Sequence, residues 1–277
     1  MSDYHYLEIE RVPATADGEC VLVVTMSNPP HNFLNAPMVA ELTSLADAVA
    51  ADETVRVLVL TGGVEDIFIT HYDVGELSTS SESLRAAAPP SAPPADRPRE
   101  LHGMHKLLLK LQALPQPVIA SINGVAMGGG CELALACDFR IMAAGYRIGL
   151  PEARVGILPG AGGTQRMTRL LGTAKALELM MLGDTVSSVI AEHIGLVHRA
   201  VEPARLRDET LELAQELARR PRLSLALIKQ CVLQGYEMPL VDALRFEQDA
   251  FYRTMRSDDA ARLMRGYLQS ERSLDEQ

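Results

Sequence analysis

One glycine-rich segment carries most of the information on this chain: Asn123-Gly-Val-Ala-Met-Gly-Gly-Gly-Cys-Glu-Leu-Ala-Leu-Ala-Cys-Asp138. Three consecutive glycines between a predicted strand and a predicted helix over 131–136 let the backbone turn tightly, and they leave its N–H groups open to another molecule. The helix directs its free N–H groups and the positive end of its dipole at the same place. An oxygen that gains negative charge would be stabilised there, as in an oxyanion hole. Glu132 lies in the first helical turn. From these residues alone, a glutamate that only interacts favourably with the helix dipole is an equally good interpretation.

A second glycine-rich segment follows: Gly149-Leu-Pro-Glu-Ala-Arg-Val-Gly-Ile-Leu-Pro-Gly-Ala-Gly-Gly-Thr-Gln-Arg166. Glu152 stands after a proline, between a predicted strand and the loop Pro159–Gly163. Taken alone, such a glutamate is most often a surface carboxylate. The loop glycines are typical of a simple turn, or of a second place where backbone meets ligand.

Strands and helices alternate over most of the chain. Apolar and β-branched runs predict strands at 21–25, 55–61, 117–122 and 139–143, and the second of these is apolar enough to be covered on both faces. Asn35 before Ala36-Pro37 predicts the N-cap of an amphipathic helix over 36–51. Further helical patterns cover 101–114 and the C-terminal stretches from about Leu206, including 222–234 and 240–268. We therefore predict an α/β core at 1–204 and a helical region at 205–277.

Residues 78–100 are rich in Ser, Ala and Pro, with almost no large apolar side chains. A segment of this composition buries too little surface to order itself, so we predict a flexible loop within the core. The segment follows Phe68-Ile-Thr-His-Tyr-Asp73, a loop that is a candidate part of the functional site. One hypothesis for its role is therefore a lid over the substrate.

Composition excludes several classes of protein. With 277 residues, 47% of them apolar, and a net charge of −10, the chain is typical of a globular protein and disfavours nucleic acid or anionic membrane as its main partner. Four scattered cysteines predict no disulfide framework or zinc site, and His102-Gly-Met-His105 is interpreted as a pair of solvated loop histidines rather than metal ligands. The glycines fit neither a P-loop nor a dinucleotide fingerprint. No apolar run is long enough for a membrane span and no secretory signal is visible, so we expect a cytoplasmic protein.

The two glycine-rich segments together resemble the enoyl-CoA hydratase/isomerase (crotonase) superfamily. The resemblance runs from about residue 18 to 270, and its matching text is Pro117-Val-Ile-Ala, Asn-Gly-Val-Ala-x-Gly-Gly-Gly-Cys-Glu132, Pro151-Glu152, Gly-Ile-Leu-Pro-Gly-Ala-Gly-Gly-Thr-Gln-Arg166 and Gly195-Leu-Val. It implies a crotonase-like spiral of repeated strand–strand–helix units with a C-terminal helical region, assembled as a trimer or a dimer of trimers. It also implies acyl-CoA thioester ligands, with no cofactor beyond the coenzyme A of the substrate.

The resemblance assigns roles to individual residues. Two glutamates that flank the enoyl double bond match Glu132 and Glu152, with Glu132 as the base that activates water and Glu152 as the acid that protonates the α-carbon. The oxyanion-hole N–H groups match Gly129 and, from an earlier loop, Tyr72. Gly160 matches a glycine that helps to hold the reacting water.

This chain departs from the family pattern in the earlier loop, which reads Thr70-His71-Tyr72 before Asp73 where small residues are usual. A backbone donor survives a bulky side chain, but the bulk could narrow the acyl pocket. Thr70, His71 and Asp73 are weak candidates for substrate contacts, and a packed or solvated His71 is the simpler interpretation.

Both carboxylates favour a hydratase over other reactions of the superfamily. An enoyl-CoA isomerase, which can use a single carboxylate, and decarboxylase or thioesterase relatives stay open as alternatives. Outside the enzymes, an acyl-CoA-binding or RNA-binding scaffold with a relic site is the remaining class, and the acidic charge makes the RNA variant the weaker one.

Overall fold

The computed structural model of the chain describes residues 4–15, 18–87 and 100–270. Within these residues, ten strands form two sheets, with α-helices around them and at the C-terminal end. The strands are β1 (Leu7–Pro13), β2 (Cys20–Met26), β3 (Val55–Gly62), β4 (Ile67–Ile69), β5 (Val118–Ile122), β6 (Val125–Met127), β7 (Phe139–Ala143), β8 (Arg147–Gly149), β9 (Thr185–Ser187) and β10 (Arg199–Val201). The helices are α1 (Ala36–Ala51), α2 (Val74–Ala87), α3 (Gly103–Ala113), α4 (Gly129–Ala136), α5 (Gly163–Leu171), α6 (Thr173–Leu182), α7 (Ser188–His193), α8 (Leu206–Arg219), α9 (Arg222–Gly235), α10 (Leu240–Met255) and α11 (Asp258–Gln269).

The chain winds between two sheets. The larger sheet has the order β1-β2-β3-β5-β7-β10, antiparallel only between β1 and β2, and the smaller has the order β4-β6-β8-β9. Each turn of the chain adds one strand to the larger sheet and then one to the smaller, as β3 and β4, β5 and β6, and β7 and β8 do, before helices follow. This is the predicted spiral of strand–strand–helix units with a C-terminal helical region, and the α/β class is confirmed.

The corners between successive strands are fixed by Asn123, which lies between β5 and β6. Its Oδ1 accepts the N–H of Gly62, 2.9 Å away, and its Nδ2 donates to the carbonyls of Val64 and Ile67 in the previous turn. One carboxamide therefore satisfies three backbone groups where two turns of the spiral meet.

Both faces of the larger sheet are covered, as the apolar strands predict. Leu22 and Val24 of β2 belong to the main core with α1, α3 and α4, whereas Val21 and Val23 pack with Ala214 and Ala218 of α8 on the opposite face. Alternation of side chains along a strand explains why nearly every residue in these strands is apolar.

Two predictions about local structure are wrong. Residues 78–87 are not a loop but the continuation of α2, which begins where Asp73 Oδ1 accepts the N–H groups of Gly75 and Glu76. No residue of α2 is buried, so no apolar pattern marked it. The remainder of the predicted loop, 88–99, lies outside the described residues. The helical stretch 240–268 is two helices, because the Ser257 side chain caps a new one.

The prediction that His102 and His105 are both solvated loop residues is correct only for His102. His102 is exposed and precedes α3, but His105 lies within that helix and is half-buried. Their rings contact each other, with centroids 4.0 Å apart.

Among the described residues, a largely buried ion pair contributes to the attachment of α9 to the core, and the last three helices leave apolar side chains exposed. Lys229 of α9 donates to Asp138, 2.7 Å away, at the residue that precedes β7. Exposed apolar side chains on α9–α11 include Val232, Tyr236, Leu240, Val241, Phe251 and Leu268. None of the described helices is both long and apolar enough to cross a membrane.

Candidate active site

Glu132 lies in the first turn of α4, the helix that begins within the run of glycines at Gly129. Its side chain is buried, with 3% of the residue exposed. Oε1 accepts the N–H of Ala161 at 2.7 Å and the N–H of Gly163 at 2.8 Å. The carboxylate thereby joins α4 to the loop Pro159–Gly163 of the second glycine-rich segment.

The environment of Glu132 acts on its pKa in two directions. Burial raises the pKa of the carboxyl above its ordinary value of 4.5, since a charge is costly to desolvate. The N–H groups of Gly163 and Ala161 and the charges of Arg166 and His102 oppose that rise, because all of them favour the ionised form. The net direction is upward.

Glu152 is the first residue of the short 3₁₀ helix Glu152–Val155. Its side chain lies against the glycine turn, which is Gly128-Gly129-Gly130. A Cβ on Gly128 would lie 3.1 Å from Glu152 Oε1, and Gly128 itself has φ +49°. Oε2 of Glu152 is buried and has no hydrogen-bond partner among the described residues. Burial, with a further contribution from the charge of Glu132, raises the pKa of Glu152 to about 7. The two glutamates therefore lie close enough for their charges to interact. They differ in hydrogen bonding, because Glu132 accepts two backbone N–H groups and Oε2 of Glu152 accepts none among the described residues.

Two backbone segments, at Tyr72 and at Gly129, come close together beside these carboxylates. A Cβ on Gly129 would lie 3.3 Å from the backbone nitrogen of Tyr72, so the two peptides are in near contact. Gly129 is the first residue of α4, where an N–H has no intrahelical acceptor. Tyr72 pairs with Leu34 in an isolated parallel β-bridge. The Leu34 N–H donates to the His71 carbonyl, and the Asp73 N–H donates to the Leu34 carbonyl. Within the described residues, neither the Tyr72 nor the Gly129 N–H has an acceptor.

The Tyr72 side chain is tied to the protein by its hydroxyl. It donates to Glu76 Oε2 at 2.8 Å, and the same oxygen accepts the N–H of Ala36 at the start of α1. Burial and the Glu76 carboxylate raise the pKa of the phenol. The ring is thus anchored between α1 and α2, so a bulky residue is accommodated at a position where the resemblance led us to expect a small one.

The other residues of this loop have structural partners of their own. Thr70 donates its hydroxyl to the His31 carbonyl, and Asp73 caps α2 as described above. His71 stacks on Phe33, with centroids 4.7 Å apart, and its Nδ1 bonds the Tyr72 carbonyl at 2.8 Å. The His71 backbone and Cβ lie against the glycine turn, but the ring is packed.

The loop Pro159–Gly163 owes its shape to glycine at 163. A Cβ there would lie 2.8 Å from Leu150 Cδ1 and 3.0 Å from Glu132 Oε1, so a larger residue would push the loop off the carboxylate. Gly160, the predicted water-positioning residue, is exposed in the loop, and its carbonyl accepts a bond from His102 Nε2 at 2.9 Å.

The structure adds residues that sequence reasoning did not single out. Ala161 and Gly163 supply the donors to Glu132, and Arg166 donates to the Ala161 carbonyl at 3.0 Å. Gln112 Oε1 in turn accepts two N–H groups of Arg166. The adjacent glycines 162 and 163 were the only signal that the loop approaches another group closely. Among the described residues, no three His, Cys, Asp or Glu side chains form a group that could hold a metal ion.

Comparison with known proteins places this chain in a family. The profile of the family described as enoyl-CoA hydratase/isomerase matches residues 16–273. The chain belongs to the enoyl-CoA hydratase/isomerase family. It is 32% identical over 267 residues to the short-chain-enoyl-CoA hydratase of Clostridium acetobutylicum, covering 96% of this chain and 97% of the relative. It is also 32% identical to the 2,3-dehydroadipyl-CoA hydratase of Escherichia coli K12, covering 90% and 92% of the two chains.

A solved structure gives the same result for the fold of this family member. The crystal structure of an enoyl-CoA hydratase subunit from Geobacillus kaustophilus has a TM-score of 0.84 at 33% identity, over 97% of this chain and 96% of that one. The similarity covers core and C-terminal helices alike, so the spiral and its helical region are those of the family.

Proposed function

We propose that the chain is an enoyl-CoA hydratase, a lyase that adds water across the 2,3 double bond of an acyl-CoA thioester. The observation that carries this proposal is a buried carboxyl group, Glu132, and a half-buried one, Glu152, of unequal proton affinity beside two unpaired backbone N–H groups. The hydratases among its relatives, each matched over nearly its whole length, support it.

The thioester oxygen would lie between the N–H groups of Tyr72 and Gly129. Addition of water to the β-carbon moves negative charge onto that oxygen as an enolate forms, and each donor contributes about 3–4 kcal/mol of transition-state stabilisation in comparable sites. Preorganised backbone donors suit this role, because they need not reorient as the charge develops.

The two glutamates would divide the proton transfers. Glu132, whose ionised form is favoured by two N–H groups, removes a proton from water as its oxygen bonds the β-carbon. Glu152, which keeps its proton up to about pH 7, delivers one to the α-carbon. The cycle ends with Glu132 protonated and Glu152 ionised, and one proton exchange restores both. These transfers need no cofactor beyond the coenzyme A of the substrate, so a metal chelator is expected to leave the rate unchanged.

The direct test is the loss of ultraviolet absorbance when the purified protein is mixed with a short 2-enoyl-CoA. Glu132→Gln and Glu152→Gln should each lower kcat by at least about 100-fold, the range for positioned acid–base groups. Glu178→Gln, an exposed carboxylate in α6, is the control and should keep full activity. Full activity in both glutamate variants would refute the assignment.

The same proteins distinguish an isomerase from a hydratase. An isomerase can move one proton with a single carboxylate, and Glu152 has the free oxygen for that. Conversion of a 3-enoyl-CoA that survives Glu132→Gln but not Glu152→Gln, with no hydration by the wild type, would replace the proposed reaction. An electrophoretic gel shift with RNA at physiological salt tests the scaffold class, and a shift without any hydration would favour it.

We also propose that copies of this chain assemble as a trimer or a dimer of trimers. Two separate groups of exposed apolar side chains support an interface between copies: the α9–α11 group given above and one on α5–α7. The second group contains Leu170, Leu177, Met181, Leu182, Val189 and Ile190. Two different patches fit a head-to-tail contact, which closes into a ring. Sedimentation should give three or six times 30.1 kDa, and Leu240→Lys with Val241→Lys should lower that mass.

For the compartment we propose the cytoplasm. All four cysteines are free thiols and three of them are buried, as in proteins of a reducing environment. Cell fractionation that recovers the activity outside the cytoplasmic fraction would contradict this.

A further inference from the structure

The loop Pro159–Gly163 is held from both sides. Its N–H groups at Ala161 and Gly163 donate to Glu132, while two of its carbonyls accept hydrogen bonds from side chains outside the loop. Arg166 binds the Ala161 carbonyl, and His102 binds the Gly160 carbonyl. Because a carbonyl can only accept, His102 Nε2 must carry a proton in this contact whatever the charge of the ring.

The contact of His102 crosses a large distance in sequence and enters the site from a separate element. His102 precedes α3, and its ring lies on that of His105, with centroids 4.0 Å apart. His105 is half-buried, and its Nδ1 has no partner among the described residues. The ring of His105 therefore supports the ring of His102 by packing against it. It is not a second donor to the loop.

We propose that His102 is a positioning residue for the hydration reaction: its bond to the Gly160 carbonyl keeps the loop Pro159–Gly163 in the conformation that presents two N–H groups to Glu132. This rests on the proposed function, since it assigns a task within the same site. His102 does not contact Glu132 through a hydrogen bond; it acts through the loop.

Few other contacts fix Gly160. The residue is exposed and a Cβ on it would have only the Leu158 carbonyl within 4 Å, at 3.9 Å, so packing does not hold it. Arg166 fixes the next residue, but its guanidinium is already directed by Gln112. A hydrogen bond to Gly160 is then the contact that fixes the exposed end of the loop.

The first test measures the loop itself, with no substrate present. His102→Phe keeps a ring on His105 but removes the donor, whereas His102→Gln restores an N–H donor near the Nε2 position. Hydrogen–deuterium exchange of peptides covering 158–166, read by mass spectrometry, should be about fivefold faster in His102→Phe, as for the loss of one hydrogen bond of average strength. His102→Gln and the exposed control Lys106→Gln should exchange like the wild type.

The second test measures the reaction. His102→Phe should lower kcat about fivefold to tenfold with KM nearly unchanged, and His102→Gln should recover most of kcat. The charged and titratable groups that act on Glu132 are Glu152, Arg166, His102 and the neighbouring Cys131 thiol. Loosening the two N–H bonds removes support for the ionised form of Glu132, so the acidic limb of kcat/KM should move further to higher pH in His102→Phe than in His102→Gln.

The outcomes separate the two proposals. A wild type that hydrates no enoyl-CoA refutes the proposed function, while the exchange measurement still decides whether His102 holds the loop. Unchanged exchange in His102→Phe overturns the positioning role. An equal shift of the acidic limb in His102→Phe and His102→Gln also overturns it, because both variants lose the charge of the ring and only one loses the donor.

Discussion

Glu132 and Glu152 occupy one site with opposite hydrogen bonding: Oε1 of Glu132 accepts two backbone N–H groups, and Oε2 of Glu152 is buried with none among the described residues. Two carboxyl groups in such unequal surroundings keep their protons over different pH ranges. The pair therefore contains a base and an acid at the same pH, which addition of water to a double bond requires.

The pH dependence of the rate should be bell-shaped. The rate falls as pH drops through the pKa of Glu132, which must be ionised, and it falls again as pH rises through about 7, where Glu152 loses its proton. The measurement is kcat/KM for a short enoyl-CoA between pH 5 and 9, and its two limbs belong to the coupled pair. A rate that is constant from pH 6 to 8 would contradict the division of roles.

Glu152 should also make folding less favourable at higher pH. The unfolded glutamate loses its proton near its ordinary value of 4.5, whereas the folded one keeps it to about 7. Between these values the folded state binds more protons, so the stability of the wild type falls as pH rises. The Tm of Glu152→Gln minus that of the wild type should therefore increase from pH 4 to pH 8. Glu8→Gln, at an exposed position in β1, is the control and should show no such trend.

Gly129→Ala should impair the reaction much more than the fold. The new Cβ would lie 3.3 Å from the Tyr72 nitrogen and 3.4 Å from the Tyr72 Cβ, which displaces one donor of the pair. Loss of an oxyanion donor costs about 100-fold to 1000-fold in kcat. Steady-state kinetics and a circular dichroism melt measure the two effects.

A matched control is Gly266→Ala in α11, where a Cβ would have nothing within 4 Å. It should keep full activity and stabilise the helix by about 0.5–1 kcal/mol. If Gly129→Ala were as active as this control, Gly129 would not belong to an oxyanion hole.

Tyr72 should tolerate loss of its hydroxyl better than loss of its ring. Tyr72→Phe keeps the backbone donor and removes only the bond to Glu76, so we expect kcat within a fewfold of the wild type and a loss of about 1 kcal/mol of stability. Tyr72→Ala opens space beside the site and should raise kcat/KM for longer enoyl-CoA thioesters relative to short ones. Equal chain-length profiles for the wild type and Tyr72→Ala would show that the ring does not limit the acyl pocket.

The sequence predicted those helices and strands whose ends and buried faces are determined by residues within the element itself or next to it. The bounds of α1 agree with prediction, because Asn35 caps the helix through its own side chain and apolar residues recur at helical spacing. Four strands of the larger sheet, β2, β3, β5 and β7, are apolar runs and were also predicted, whereas β1 and the three-residue β10 were not. Three-residue strands such as β4, β6 and β9 carry too few residues for a pattern, and α2 buries nothing that could mark it.

The site was predictable only as far as its residues repeat a family pattern. The types and contexts of Glu132 and Glu152 were sufficient to propose them, and the structure brings both to the glycine turn. Bonds such as those of the Ala161 N–H to the Glu132 carboxylate and of the His102 ring to the Gly160 carbonyl each join a side chain to a backbone group far away in sequence. A backbone donor has no side-chain signature, so such partners emerge only once the chain is folded.

The carboxamide of Asn123 has a consequence for the alignment of the two proposed oxyanion donors, the N–H groups of Tyr72 and Gly129. It joins the corner after β5 to the residues that lead into β4, and β4 runs directly into the loop that presents Tyr72, while β6 runs into Gly129. The spacing of the two donors is therefore governed from the opposite end of two short strands. Asp at this position would set a negative charge against two carbonyl oxygens and tilt one strand relative to the other, misaligning the donors while leaving both peptides chemically intact.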